Sequence, residues 1–260
     1  MAITAAQVKE LRERTGIGMM ECKKALTQTD GDMEKAIEEL RKKGLAKAAK
    51  KADREAFEWG IKIIIKDNKA AILSIACETD FLANSDKFKA MLDDLIKFVK
   101  ENGTDKEAAQ EYINKNYALE MGENLQVKEL KVLEAPVLAS YVHSNGKLAA
   151  ILWAKEGTDV EKLKQVAMHV TAANPEFLSP NDISEEVVEK EKAIQLDMMK
   201  NDPKMANKPE QVLVKIIEGK MGKFKSEISL LEQAFVVDPS KKVKDIIWED
   251  NIIFFERIAI

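Results

Sequence analysis

From Gly60 onward the apolar residues stop recurring at helical spacing and begin to alternate. Ile61, Ile63 and Ile65 are separated by Lys62 and Ile64, Asp67-Asn68 follows, and a second apolar run extends from Ala70 to Ala76. Two such runs joined by a turn dipeptide predict a β-hairpin. The period then reverts. Ser85 opens a helix with Phe88, Met91, Leu92, Leu95, Ile96 and Val99 on one face, ending near Gly103, and another helix is expected near Asp105 to Tyr117. The same order recurs downstream. Val137 to Val142, the dipeptide Asn145-Gly146 and Leu148 to Ala154 predict a second hairpin. Thr158-Asp159 then caps a helix carrying Leu163, Val166, Ala167 and Val170. The pattern predicts an α+β fold whose two-lobed core repeats hairpin-plus-helix, although the residues of the two halves differ.

Ahead of the first hairpin the chain reads as a three-helix unit. Thr4 and Gln7 form a capping box, Val8 and Leu11 give an apolar face, and Gly16 suits a left-handed cap. A second helix carries Met19, Met20, Cys22, Ala25 and Leu26. Asp32 caps a third, with Met33, Ile37 and Leu40, which Gly44 is expected to close. So small a unit buries little area by itself and reads as a recognition module. Helix formers after Leu45 suggest a semi-rigid helical linker. Between Pro180 and Ser226, Ile183, Val187, Val188, Ile194 and Met198 imply one charged helix, stopped by Asn201-Asp202-Pro203. Lys208-Pro209-Glu210 starts another with Val212, Leu213, Ile216, Ile217, Met221 and Phe224, so an antiparallel helical hairpin is expected as an inserted arm. The arm is either a self-contained coiled coil or a surface for another domain or a second copy. Val243, Ile246, Ile247 and the strand-like Ile252 to Ile258 complete the chain. The expected division is a module at 1–44, a linker at 45–59, a first core lobe at 60–136, a second at 137–179 and 227–260, and the arm at 180–226.

Charged residues make up 33% of the chain, and the formal net charge of -4 argues against a general nucleic-acid coat. Lys42, Lys43, Lys47, Lys50, Lys51 and Arg54 form a basic cluster, read as a solvated helix face, with RNA or an acidic protein surface as the alternatives. Two distant cysteines, Cys22 and Cys77, make neither a disulfide framework nor a zinc ligand set, and fit a reducing cytoplasm. No signal-peptide core follows Met1, and no apolar run approaches the ~20 residues of a membrane span. Neither a phosphate-cradling G-x-x-x-x-G-K-S/T loop nor a nucleophile elbow occurs. His143 and His169 fall on different elements. An enzyme is not expected, nor any cofactor or metal.

The remaining feature is the corner between the first hairpin and its helix, Cys77-Glu78-Thr79-Asp80-Phe81-Leu82-Ala83-Asn84. Such corners are usually polar and superficial. Phe81 there is either a core plug or an exposed anchor for a partner. Asp80 by itself reads as a helix N-cap. One of Met19 and Met20 is expected to face its own module, leaving the other for a partner. His143 reads equally as a surface histidine or a contact, His169 as core packing, and Cys77 as a buried strand residue.

The string from Val8 to Leu26, Gly31-Asp32-Met33-Glu34-Lys35-Ala36-Ile37, Leu40 to Gly44, and the Thr79-Asp80-Phe81-Leu82-Ala83 corner together closely resemble translation elongation factor Ts. Tyr141-Val142-His143, Ala167-Met168-His169-Val170, Asn174-Pro175, Val188-Glu189-Lys190-Glu191 and Ile217-Glu218-Gly219-Lys220 extend the match. The resemblance implies a bacterial-type guanine-nucleotide exchange factor that binds elongation factor Tu in its GDP-bound and nucleotide-free states. It implies that the three-helix module is of the ubiquitin-associated type. It further implies that Phe81, with Asp80 beside it, wedges into the partner's nucleotide domain. Thr79, Asp80, Phe81 and Leu82 would dislodge the magnesium ion, and GDP would leave. Met19 and Met20 match residues that touch the nucleotide domain, and His143 and Lys164 match positions approaching the partner's far domain. Departures include Leu82 where the family often has Val, and Glu55-Ala56-Phe57-Glu58-Trp59-Gly60 where the linker usually runs Ala-Ala-Glu-Gly. An adaptor recruiting another partner through the N-terminal module, and an RNA-associated factor using the Lys42 to Arg54 cluster, are the competing readings.

Overall fold

A computed structural model describes residues 3–201, 209–248 and 251–259. The chain divides into two compact units, one running through Glu134 and including the tip Ser144–Lys147, the other comprising Ala135–His143 and Leu148–Ala259.

The first unit opens with α1 (Ala5–Thr15), α2 (Met19–Gln28) and α3 (Met33–Ala49). The Thr4–Gln7 capping box, the left-handed Gly16 and the Asp32 cap are all present. Val8, Leu11, Cys22, Ala25, Leu26, Ala36 and Leu40 form one small core. Gly44 does not close α3. It lies buried inside the helix, where a Cβ would stand 3.0 Å from the Asn114 carbonyl oxygen and 3.3 Å from that of Lys115. The glycine therefore serves close approach between helices and not termination. The helical linker expected at 45–59 is also corrected. Helix persists only to Ala49, and a turn follows, because the carbonyls of Ala52 and Arg54 accept hydrogen bonds from the buried Asn124 side chain at 3.2 and 2.6 Å.

Next come β1 (Glu58–Lys66) and β2 (Lys69–Cys77), paired antiparallel through a tight turn in which Asp67 and Asn68 both take positive φ. That backbone suits the twist of a hairpin. Then follow α4 (Asp80–Ala83), α5 (Asp86–Asn102), α6 (Lys106–Asn116), α7 (Ala118–Met121) and β3 (Gln126–Glu134). The sheet order is β1-β2-β3. Strand β3 escapes the alternation test because a bulge shifts its register between Ser74 and Ile75. One extra residue puts Val127 and Leu130, three apart, on the core side together. The core holds Leu73, Ile75, Phe88, Met91, Leu95 and Ile113.

In the second unit, β4 (Val137–Val142), β5 (Leu148–Ala154) and, from the far end of the chain, β8 (Ile252–Ala259) form an antiparallel sheet of order β4-β5-β8. Helix α8 (Val160–Ala173), capped by Asp159, packs Leu163, Val166, Ala167 and Val170 into a core with Leu152, Leu230 and Phe235. Helices α9 (Glu185–Lys200) and α10 (Glu210–Ile228) pack on each other through Met199, Ile217 and Met221. Asn201 caps α9, while Asp202, Pro203 and Lys208 lie outside the described residues. A short hairpin of β6 (Ala234–Phe235) and β7 (Asp238–Lys242) and one turn of helix, α11 (Val243–Ile246), lead into β8. The fold is α+β, with antiparallel sheets throughout.

Candidate partner-binding site

Strand β2 runs into the corner fully buried, and Cys77 is its last residue. Burial pushes the Cys77 thiol up to about 12, so it stays protonated near neutral pH and is no nucleophile. Thr79 then takes an extended backbone, and its hydroxyl accepts from the Leu82 N–H at 3.2 Å. Thr79 is thus the cap of α4, and Asp80 occupies the first helical position, contrary to the reading of Asp80 as the cap. Ser85 caps α5 in turn, accepting from the Phe88 N–H at 3.2 Å.

On this single helical turn, adjacent residues point apart. Leu82 is buried in the first unit's core, whereas Phe81 is 87% exposed. Helical residues in succession lie about 100° apart around the axis, so a buried Leu82 turns Phe81 outward. The core-plug reading of Phe81 is overturned, and Leu82 is an inward anchor.

The corner is tied to the segment after α7. Gly122 ends that helix with φ of 73°, in the left-handed region that glycine adopts without strain. This bend brings Glu123 to the corner. Its Oε2 accepts from the N–H groups of Glu78 and Thr79 at 2.8 and 2.9 Å, and its Oε1 accepts from the Thr79 hydroxyl at 2.6 Å. The neighbouring Asn124 N–H donates to Glu78 Oε1 at 2.7 Å, and Arg54 reaches Glu78 Oε2 at 3.3 Å. Lys147 pairs with Glu58, the strand partner of Cys77. That hydrogen bond, helped by the Asp80 charge, holds the Lys147 ammonium above its ordinary value. Sequence reasoning missed Glu123, Asn124 and Lys147, because they approach from 40 or more residues away. The only local signal was Met121-Gly122-Glu123-Asn124, a glycine stop followed by two hydrogen-bonding side chains.

Phe57, just upstream of β1, is also exposed. Trp59 packs locally, with the Lys128 ammonium 5.3 Å from its ring centroid. Met19 and Met20 lie in the first turn of α2, and both are exposed. The expectation that one of them faces inward fails because Ile17, just upstream, and Cys22 fill the core. Met20, Lys23, Lys24, Thr27 and Gln28 line a surface groove of about 310 Å³.

His143 and Lys164 belong to the second unit and are both exposed. The Nδ1 of His143 lies 3.3 Å from the Tyr141 hydroxyl. His169 is core, as expected. Its Nδ1 accepts from the Val236 N–H at 3.2 Å, so Nε2 carries the proton and donates to Gln233 Oε1 at 2.9 Å. Burial lowers its pKa.

Of the basic cluster, Lys42 pairs with Glu38 and Glu39, Lys43 with Gln28, and Arg54 with Glu78, the pattern of a solvated face. Among the described residues no group of His, Cys, Asp or Glu could hold a metal ion, and no helix is long and apolar enough to cross a membrane.

The family described as Elongation factor TS matches residues 78–260, beginning at this corner. Elongation factor Ts of Cronobacter sakazakii is 46% identical over 253 residues, covering 96% of this chain and 87% of that protein. The Serratia proteamaculans protein of the same name is 45% identical over 264 residues, 99% of this chain and 91% of its own. The chain belongs to the elongation factor Ts family. Membership in elongation factor Ts places its function in translation elongation. The 45% match over 99% of the chain also takes in the N-terminal helices, which the 78–260 family match leaves out.

Proposed function

We propose that this chain is the guanine-nucleotide exchange factor of elongation factor Tu and acts without a catalytic side chain of its own. The observation that carries the reading is Phe81, 87% exposed on a turn anchored from both sides. Exposing a ring while burying its neighbour costs free energy that a partner can recover, and an aromatic anchor buried at an interface contributes ~2 kcal/mol or more. Asp80 stands beside the ring, Thr79 caps its turn and Leu82 holds it to the core. Together they would displace the partner's magnesium ion.

The mechanism is one of linkage. A protein that binds the nucleotide-free partner more tightly than the GDP-bound form must weaken GDP binding by the same factor. Remote contacts supply the free energy that drives insertion. In this reading Met19 and Met20, on a module of ubiquitin-associated type, meet the nucleotide domain, and His143 and Lys164 meet the partner's far domain. Helices α9 and α10 form the antiparallel arm, available for self-association. The protein works in the cytoplasm.

Release of a fluorescent GDP from elongation factor Tu tests the assignment. Losing ~2 kcal/mol of anchor energy slows release about thirtyfold in Phe81→Ala. Equal acceleration by wild type and Phe81→Ala overturns the wedge. No acceleration by wild type overturns the exchange function.

A further inference from the structure

We infer that Glu123 is a positioning residue for Phe81. The inference rests on the exchange reading above and adds to it a residue 42 positions away in sequence that never needs to touch the partner.

Between the end of β2 and the start of α4, the N–H groups of Glu78 and Thr79 lie beyond the last strand pairs and need acceptors. A single carboxylate oxygen, Glu123 Oε2, takes both, at 2.8 and 2.9 Å. Two donors on one oxygen fix the direction of the chain as it leaves the strand. The other oxygen, Oε1, receives the Thr79 hydroxyl proton at 2.6 Å. A hydroxyl whose proton is committed offers its lone pairs elsewhere, and here one of them caps the Leu82 N–H at 3.2 Å. The carboxylate thus sets the cap, the cap sets the helical turn, and the turn sets the direction of Phe81.

Charge matters as well as shape. Hydrogen bonds to an ionised acceptor are about twice as strong as neutral ones. A helix of only four residues has no length with which to hold itself. The neighbouring link repeats the logic in reverse, since Glu78 Oε1 accepts from the Asn124 N–H at 2.7 Å. Strand end and loop therefore grip each other from both sides, with Gly122 supplying the left-handed bend that lets residues 123 and 124 reach the corner.

Glu123→Gln is the informative change. It keeps the size of the side chain, but only one of its two terminal atoms can accept, so either orientation loses an acceptor that the corner uses. A wedge displaced by ~1 Å can cost up to about a hundredfold in rate. We therefore expect Glu123→Gln to lower the maximal rate of fluorescent-GDP release from elongation factor Tu by about tenfold. The concentration giving half-maximal release should change by less than twofold, because remote docking contacts remain. In a Phe81→Ala background the same substitution should have no further effect, since there is no ring left to position. Amide exchange in the free protein should speed up at least tenfold at Glu78 and Thr79, and Glu123→Ala should show the same with a larger loss of rate. An unchanged release rate, or an equal cost with and without Phe81, overturns the positioning role. So does unchanged exchange at residues 78 and 79. Failure of the exchange reading has a different signature: wild type itself then gives no acceleration of GDP release, whatever residues stand at 81 and 123.

Discussion

Phe81 and Leu82 are neighbours in sequence, yet truncating Leu82 should cost stability that truncating Phe81 does not. Leu82 is 9% exposed and shares a core with Leu73, Ile75 and Phe88. Leu→Ala in a core removes apolar burial and leaves a cavity, at a cost of about 2–5 kcal/mol. At the rim of the core, where α4 can relax, the lower half of that range applies, about 2.5 kcal/mol. For a protein of this size that corresponds to a drop in Tm of about 5–10 °C. Phe81 is 87% exposed, so about one-eighth of its surface is covered by its own chain. An aromatic side chain carries roughly 200 Å² of surface, and covering one-eighth of that contributes about 0.6 kcal/mol at 25 cal/mol per Å². Alanine's better helix propensity returns about as much. Phe81→Ala should therefore melt within about 1 °C of wild type. Calorimetry on the two single variants, with circular dichroism to show native secondary structure, makes the comparison. Should Phe81→Ala lose as much stability as Leu82→Ala, the ring is packed inside, and the argument for an exposed anchor fails at its root. Should Leu82→Ala melt like wild type, α4 is not held by the core and cannot hold the ring.

His169 has its pKa lowered from 6.5 by burial, so the unfolded chain binds a proton that the folded one refuses. Its contribution is complete above pH 6.5 and is lost as the pH falls from there through the depressed folded value. Urea unfolding over that range should show a stability slope that His169→Gln reduces, and an unchanged slope would refute the assignment. Gly44→Ala should destabilise by about 1 kcal/mol, because overpacking against the fixed backbone of Asn114 and Lys115 costs about 1–3 kcal/mol and exceeds the ~1 kcal/mol gain in helix propensity. A variant that melts higher than wild type would contradict that close approach.

Local signals were legible where local energetics decide the outcome. The Thr4, Asp32, Ser85 and Asp159 caps bond to backbone groups two or three residues away, and both hairpins announce themselves by alternation around a turn. Strand β3 was not legible, because its bulge breaks the alternation. Gly44 misled, because a glycine that ends a helix and a glycine that admits a neighbouring backbone look alike in one dimension. Asp80 misled in a similar way, since Thr79 and Asp80 are both good caps and only the bond to the Leu82 N–H chooses between them.

Residue order alone carries the α+β character, the corner at Thr79 to Leu82, and the resemblance to the family. Taken without that resemblance, the residues place an aromatic at the corner but leave open whether the ring faces in or out. Direction there depends on a one-turn helix too short to persist without tertiary support. That support comes from Leu82 entering the core and from the Glu123 carboxylate, which arrives from 44 residues beyond Thr79. Only folding brings those groups together, and with them the outward direction of Phe81 is set.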